Sequence, residues 1–371
     1  MALSRRRFFQ LAGTGFLLQS QFPRKLKVQA ASGASAPVGD AGSGPSRVAL
    51  IQGDDRRKNV YQALVAVDDQ IKAGLRHKKY VVIKPNNVST TNQLAATHVD
   101  ALHGILDYLE PRFRGPVIIA ESSAGDTLEG FENFKYNQVA ADHRSHKVSL
   151  LDLNREGKYE LSPVIDRNLH VTTVRLAARL LDPDAYVISS AMLKTHNLVV
   201  ATLSVKNMAM GAPLHSVPGE TRWNDKPKVH PGVREGNSNM LLNAQKLQHN
   251  WGLALIDGFE GMEGNGPSRG TPVASRLAIA STDFVAADRV ALETMSINPD
   301  WVGYLTFAGR VGLGQYDLSK IDLVGGTAIA SVQKKYQLHE GIQRELQWMG
   351  PMAELSHNMS SLFQPHDLSI G

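Results

Sequence analysis

The side chains best suited to chemistry lie in the stretch 185–211, which begins as an apolar run rich in β-branched residues. Lys194 and His196 follow that run, and Lys206 and Asn207 follow a second one. Lysine is rarely buried without a partner, so two lysines beside a core strand predict a bound anion or a carboxylate of the chain itself. We expect Lys194 and Lys206 to clamp a substrate anion, and His196 to act as a general acid or base or as a ligand.

The same pattern, an apolar strand-like run followed directly by polar or ionisable side chains, occurs four times along the chain. In chain order these are Lys84 with Asn86, Glu121, Lys194 with His196, and Asp257. In open α/β sheets, ligands bind in the crevice beyond the carboxyl ends of the strands. We therefore expect these endings to meet in one cleft, with Lys84, Asn86 and Asn207 contacting substrate.

Further candidates lie in two other segments. The long polar segment 213–236 contains His215 and His230, which we expect to bind substrate. The glycine-rich segment 257–267 lets backbone and carboxylates approach a ligand closely. Four carboxylates are candidate ligands for a divalent cation, or would position the substrate: Glu121, Asp257, Glu263 and Asp283. Asp283 also suits a helix cap.

Several site classes are excluded by composition and motif. The chain has no cysteine, which rules out a cysteine-ligated iron–sulfur cluster, thiolate zinc sites and cysteine nucleophiles. There is no pair of histidines four residues apart, as a zincin requires, and no G-x-S-x-G elbow of an α/β-hydrolase. No apolar run approaches the roughly 20 residues of a membrane span, so we expect no stable span once a leader is removed.

The net charge of +5 comes from the N-terminus. Residues 1–36 hold six basic and no acidic side chains, and subtracting these six from 40 Lys and Arg leaves 34 against 35 Asp and Glu. Global charge therefore gives no reason to expect a nucleic-acid partner.

The first ten residues include Ser4-Arg5-Arg6-Arg7-Phe8, which resembles a twin-arginine export signal. A modestly apolar segment and small residues follow, with cleavage expected after Ala30 or Ala36. We expect the twin-arginine translocase as a partner and a periplasmic location, or one outside the inner membrane. The predicted organisation is a signal peptide at 1–36, a flexible linker at 37–46, an α/β domain at 47–325 and a C-terminal helical and loose extension at 326–371.

The alternation of strand and helix patterns predicts an α/β fold. We expect a mixed, largely parallel sheet flanked by helices, in one body or in two lobes with a cleft between them. The predicted strands are 47–52, 80–83, 116–120, 148–151, 170–174, 186–188, 199–205, 252–256, 277–280 and 321–324. The predicted helices are 56–75, 97–109, 134–142, 239–248 and 283–295.

A set of short motifs, in this order and spacing, resembles the DUF362 family over roughly 47–325. They are Lys84-Pro85-Asn86, Leu193-Lys194-Thr195-His196, Lys206-Asn207 with Gly211, Ile256-Asp257-Gly258, Met262-Glu263-Gly264-Asn265-Gly266-Pro267, and Thr282-Asp283 with Asp288. The resemblance implies relatives and no reaction, because the family has no settled activity. Many relatives carry ferredoxin-type cysteine clusters, which this chain lacks.

Two functions stay open on the sequence. The first is an exported enzyme acting on a small carboxylate or phosphate, with or without a divalent metal ion. The second is a non-catalytic periplasmic protein that binds an anion or a metal in the same cleft.

Overall fold

The structure, a computed structural model, describes residues 45–143 and 147–350. The predicted signal peptide, most of the linker and the end of the C-terminal extension lie outside the described residues, so those predictions stand as they are. The strands are β1 Ser46–Gln52, β2 Tyr80–Lys84, β3 Val117–Glu121, β4 Val148–Asp152, β5 Tyr159–Ile165, β6 Val171–Ala177, β7 Ala185–His196, β8 Val200–Thr202, β9 Trp251–Glu263, β10 Thr271–Val273, β11 Leu277–Ser281 and β12 Ile321–Val324. The helices are α1 Arg56–Ala66, α2 Asp68–Leu75, α3 Val99–Leu109, α4 Thr127–Asn133, α5 Tyr136–Asp142, α6 Leu153–Glu156, α7 Ser204–Gly211, α8 Lys226–Val229, α9 Val233–Leu247, α10 Phe284–Thr294, α11 Gly303–Arg310, α12 Ile329–Val332 and α13 Ile342–Glu345.

One mixed sheet runs through the described residues, in the order β12-β1-β11-β9-β7-β2-β3-β4. The half from β9 to β4 is parallel throughout, whereas β11 pairs antiparallel with both β1 and β9. The predicted α/β class with a largely parallel sheet is confirmed. This sheet extends from residue 46 to residue 324, and β5 and β6 form a separate two-stranded antiparallel sheet.

The two faces of the sheet carry separate layers of apolar packing. Along β1, Val48 and Leu50 belong to one core cluster, while Ala49 and Ile51 belong to the other. Such alternation follows from the two-residue period of a strand. Helices α1 and α3 pack on the second face, and α7, α9, α10 and α11 on the first. The parallel strands therefore end in one row between two covered faces.

Local differences from the predicted elements follow from tertiary contacts. The predicted strand 199–205 ends as β8 at Thr202, and Val205 lies in helix α7 because the buried Asp288 carboxylate accepts the N–H groups that begin that helix. The predicted helix 56–75 is interrupted at Val67. Strands β7 and β9 continue through His196 and Glu263, so those side chains lie within strands and not in the loops after them.

The described residues contain no helix of the length and apolarity needed to cross a membrane.

Candidate active site

A cavity of about 310 Å³ lies beyond the carboxyl ends of β2, β3 and β7. It is lined by polar side chains from these strand ends, from α7 and from the segment 224–230. The polar residues at its wall are Lys84, Asn86, Asn87, Glu121, Ser122, His196, Asn197, Lys206, Asn207, Asn224, Lys226 and His230. Seven of the twelve side chains predicted for the site line this cavity. Four of the seven, Lys84, Asn86, Glu121 and His196, come from the strand endings, whereas Lys194 and Asp257 from the same endings do not line it.

The floor of the cavity is a buried ion pair between Lys84 and Glu121. Lys84 Nζ lies 2.9 and 3.1 Å from the two carboxylate oxygens and 3.2 Å from Asn207 Oδ1. The carboxylate also accepts the backbone N–H groups of Asn87 and Ser122. The two charges are thus paired with each other and hydrogen-bonded to further protein groups, which offsets the free energy of desolvating them. Glu121 holds Lys84 in place, and its oxygens are occupied by these donors.

Lys206 is bonded differently from Lys84. It lies in the first turn of α7, is only 5% exposed and lines the cavity. Within residues 45–143 and 147–350, its Nζ makes no hydrogen bond or ion pair. Burial, aided by the nearby positive charge of Lys84 and opposed by Glu121, lowers the pKa of Lys206 to about 8. The cavity therefore contains an amine whose protonation changes near neutral pH and whose nitrogen is free to meet a ligand.

Lys226 is a cavity residue that the sequence reasoning did not single out. Its Nζ donates to Ser122 Oγ at 3.2 Å and to the carbonyl oxygens of Gly211 and Pro213 at 3.2 and 2.7 Å. Burial lowers the pKa of Lys226 to about 7. The residue lies in a polar segment without periodicity, and the only signal was its occurrence in that long segment beside His215 and His230.

Two histidines at the cavity wall are in different tautomers. His196 Nδ1 accepts the backbone N–H of Leu198 at 3.1 Å, so the proton of the neutral ring is on Nε2. His230 Nδ1 donates to the carbonyl oxygen of Lys226 at 3.0 Å, which leaves the lone pair on Nε2. Burial and the charge of Lys206 hold the pKa of His196 well below its usual value and lower that of His230 to about 4. At neutral pH one ring is a proton donor and the other an acceptor.

The amide side chains of Asn86 and Asn87 leave polar atoms unused in the cavity wall. Asn86 Nδ2 donates to Asn207 Oδ1 at 3.0 Å, yet Asn86 Oδ1 has no partner among the residues described. Asn87 Nδ2 is likewise buried and without a partner in this part of the chain. Both residues are at most 5% exposed. Unsatisfied buried polar atoms are uncommon, so their position beside a cavity indicates a ligand that completes their bonding.

Other predicted residues do not line this cavity. Lys194 Nζ donates to the carbonyl oxygens of Ala95 and Pro267, both at 3.2 Å, and is fully buried. Burial, with a further contribution from Lys206, holds the pKa of Lys194 well below its usual value. The ring of His215 lies against the carbonyl oxygens of Ser216 and Ser123, which ties the segment after α7 to the loop after β3.

The four carboxylates predicted to hold a divalent cation are not gathered into one site. Asp257 pairs with Arg56 at 3.2 Å, Glu263 accepts the N–H of Gln337 at 2.8 Å, and Asp283 caps α10. Glu121 is occupied by Lys84. No group of three or more His, Asp or Glu that could hold a metal ion occurs among the residues described. The prediction that these carboxylates hold a divalent cation is therefore not met in the described residues, because each carboxylate makes a local contact instead.

Helix α7 is placed by groups distant in sequence. Asp288 is fully buried and accepts the N–H groups of Ser204 and Val205 at 2.8 and 2.9 Å, at the helix end that carries Lys206. At the other end, a Cβ on Gly211 would lie 2.3 Å from Lys84 Nζ, so only glycine permits this approach. Helix α7 is thus held at both ends, with Lys206 in its first turn and Gly211 against Lys84 at its last residue.

These features define an α/β protein with a polar, lysine-rich cavity at the carboxyl ends of its parallel strands. The profile of the domain of unknown function DUF362 matches residues 81–293, more than half of the chain. The protein belongs to the DUF362 family, as its motifs predicted.

Two further similarities are more distant. A thylakoid-associated protein of Synechocystis sp. is 30% identical over 141 residues, which cover 38% of this chain and 41% of that protein. A solved structure from Thermotoga maritima shares 9% sequence identity with a TM-score of 0.39, over 60% of this chain and 55% of the other. The chain thus spans less than half the length of the curated relative that it matches.

Proposed function

We propose that this protein is an enzyme that binds a small carboxylate or phosphate in the cavity at the strand ends. The observation that carries the proposal is Lys206, an amine buried at the cavity wall without a hydrogen-bond acceptor in the described part of the chain. A buried ammonium without a partner costs free energy, and a bound anion would remove that cost. Asn87 also lines the cavity, and its unused Nδ2 donor favours the same kind of ligand.

The balance of charge at the cavity wall also favours an anion. Lys84, Lys206 and Lys226 face one carboxylate, Glu121, which is already paired with Lys84. The volume of about 310 Å³ suits a small molecule and is at the lower limit of typical ligand sites. A ligand of a few heavy atoms with one or two negative charges fits both constraints.

The two histidines support chemistry on the bound anion. At neutral pH His196 presents an Nε2–H hydrogen-bond donor and His230 an Nε2 lone pair, so a ligand can receive a hydrogen bond from one ring and lose a proton to the other. Groups with pKa values displaced in this way cluster at catalytic sites. A protein that only stores or carries an anion needs no such donor–acceptor pair.

Calorimetric titration with phosphate, sulfate and pyruvate tests anion binding. We expect binding by the wild-type protein and a loss of affinity of tenfold or more in Lys206→Met, because a charge-assisted hydrogen bond contributes about 1.5–3 kcal/mol. Lys79→Met is the matched control, since Lys79 is exposed and pairs with Asp184 outside the cavity. Equal affinity in Lys206→Met would contradict the site, and NMR recovery of every bound ligand unchanged would favour the non-catalytic binding protein.

We further propose that the chain is exported by the twin-arginine translocase to the periplasm. Support comes from Ser4, Arg5, Arg6 and Phe8 in the order of that signal, followed by a modestly apolar segment. Replacing Arg5 and Arg6 with lysine in the full chain should leave the protein in the cytoplasmic fraction with its leader uncleaved. Unchanged fractionation of that variant would contradict export by this route.

A further inference from the structure

The three lysines of the cavity differ in the space left around their nitrogen atoms. Lys84 Nζ is surrounded by both oxygens of Glu121, Asn207 Oδ1 and the carbonyl oxygen of Pro85. Lys226 Nζ has three oxygen acceptors within 3.2 Å. Both nitrogens are thus already engaged by oxygen atoms of the protein.

Only Lys206 combines a cavity position with an unoccupied nitrogen in the described part of the protein. Its side chain is buried at the wall, so a ligand in the cavity reaches Nζ without displacing a protein contact. A nitrogen of this kind can use its lone pair as a nucleophile once it has lost a proton, and a desolvated lysine beside another cation is the usual form of such a nucleophile.

We propose that Lys206 forms an imine with the carbonyl carbon of a small oxo acid, such as a 2-oxo carboxylate, bound in the cavity. This inference rests on the proposed function, because the carboxylate of the oxo acid is the anion that the cavity binds. It adds the substrate class and assigns to Lys206 a covalent role.

The step balances without a co-reactant. The neutral amine of Lys206 attacks the carbonyl carbon, a C–N bond forms, and the carbonyl oxygen takes a proton to give a carbinolamine. The C–O bond then breaks, and the two hydrogens of the amine leave with the oxygen as water. The lone pair on His230 Nε2 can take the proton from the nitrogen after the attack and return it to the oxygen, while His196 Nε2–H can donate a hydrogen bond to that oxygen.

The amide groups at the wall suit the rest of such a ligand. Asn87 Nδ2 is a buried donor without a partner in the described residues and can bind a carboxylate oxygen. Asn86 Oδ1 is a buried acceptor without a partner there and can bind the hydroxyl of the carbinolamine. The ground state has a carboxylate and the intermediate a new hydroxyl, so both unused atoms acquire partners.

Reductive trapping tests the proposal on the full chain. The protein is incubated with pyruvate, or with glyoxylate, and sodium cyanoborohydride, and peptide mass spectrometry locates the added carboxyethyl or carboxymethyl group. We expect one modification at Lys206, at a rate at least tenfold above that of the exposed Lys79, and protection by phosphate. Lys206→Arg keeps the positive charge and lacks the nucleophile, so it should lose this modification, whereas Lys79→Arg should keep it.

Two results would overturn the imine. One is modification spread over exposed lysines with no preference for Lys206. The other is no modification at Lys206 by either oxo acid. Calorimetric titration of the same wild-type sample with phosphate distinguishes failure of the imine from failure of anion binding. Phosphate binding without trapping refutes the imine alone. No binding of any anion refutes the proposed function as well.

Discussion

Four buried lysines of the described residues, three of them at the cavity wall, differ mainly in what surrounds each nitrogen. Lys84 is neutralised by Glu121, Lys194 and Lys226 are held by oxygen acceptors of the protein, and Lys206 lacks an acceptor in the described residues. The first three positions are explained by the fold itself. Lys206 is the position where the fold leaves bonding capacity for a ligand, and the proposed function follows from that difference.

The Lys84–Glu121 pair should be costly to break from one side. Replacing Lys84 with methionine leaves the Glu121 carboxylate buried without its counter-charge, and we expect a loss of about 3–5 kcal/mol in the free energy of unfolding. Urea denaturation measures this loss. The double variant Lys84→Met/Glu121→Gln is the control and should recover a large part of it. If the single variant is as stable as the double variant, Lys84 is not needed as the counter-charge of the buried Glu121 carboxylate.

Anion affinity should fall as the pH rises through about 8. The pKa of Lys206 is lowered to about 8 by burial and by Lys84, with Glu121 acting in the opposite direction, and the ammonium that attracts the anion is lost above that value. We expect affinity for sulfate, whose charge is constant there, to decrease by about tenfold per pH unit once Lys206 is deprotonated. Lys226, with a pKa of about 7, and the neutral His196 and His230 also face the cavity.

Calorimetric titrations of sulfate from pH 6 to pH 10 measure this dependence. Lys206→Arg is the control, because its guanidinium stays charged throughout and its affinity should not show the decrease centred near pH 8. A decrease of the same size and midpoint in that variant would assign the effect to another group, with Lys226 the first to examine.

At the scale of elements, α7 connects the buried core to the cavity. Asp288 on α10 fixes its first turn, and Gly211 at its last residue permits close approach to Lys84. The sequence between 199 and 205 favours a strand, yet a helix begins at Ser204 because a buried carboxylate accepts its first N–H groups. Local propensity predicted β8 but extended the strand over Ser204 and Val205, since the partner that begins the helix there is more than 80 residues away.

Removal of the Asp288 carboxylate should therefore affect both stability and ligand binding. In Asp288→Ala two buried N–H groups lose their acceptor, and we expect a loss of about 1–3 kcal/mol in the free energy of unfolding together with weaker phosphate binding. Asp283→Ala is a matched control, because Asp283 caps α10 through two N–H groups but does not contact α7. It should lower stability without changing phosphate affinity. Unaltered phosphate binding in Asp288→Ala would show that this contact does not position Lys206.

At the scale of the whole molecule, much of the site followed from sequence because a parallel sheet collects its strand ends at one edge. Lys84, Glu121 and His196 were placed together by that rule alone. The partners of Lys194 could not be predicted, since Ala95 and Pro267 approach it from segments distant in the chain. The same is true of Lys226, whose neighbours become apparent only when the segment after α7 folds over the strand ends.

The most direct test of the central claim is a crystal structure of the wild-type protein soaked with selenate, whose anomalous signal locates the anion. We expect one strong site inside the cavity, with a selenate oxygen within hydrogen-bond distance of Lys206 Nζ and Asn87 Nδ2. An empty cavity, with selenate only at the basic surface around Arg76 and Arg114, would contradict anion binding at Lys206.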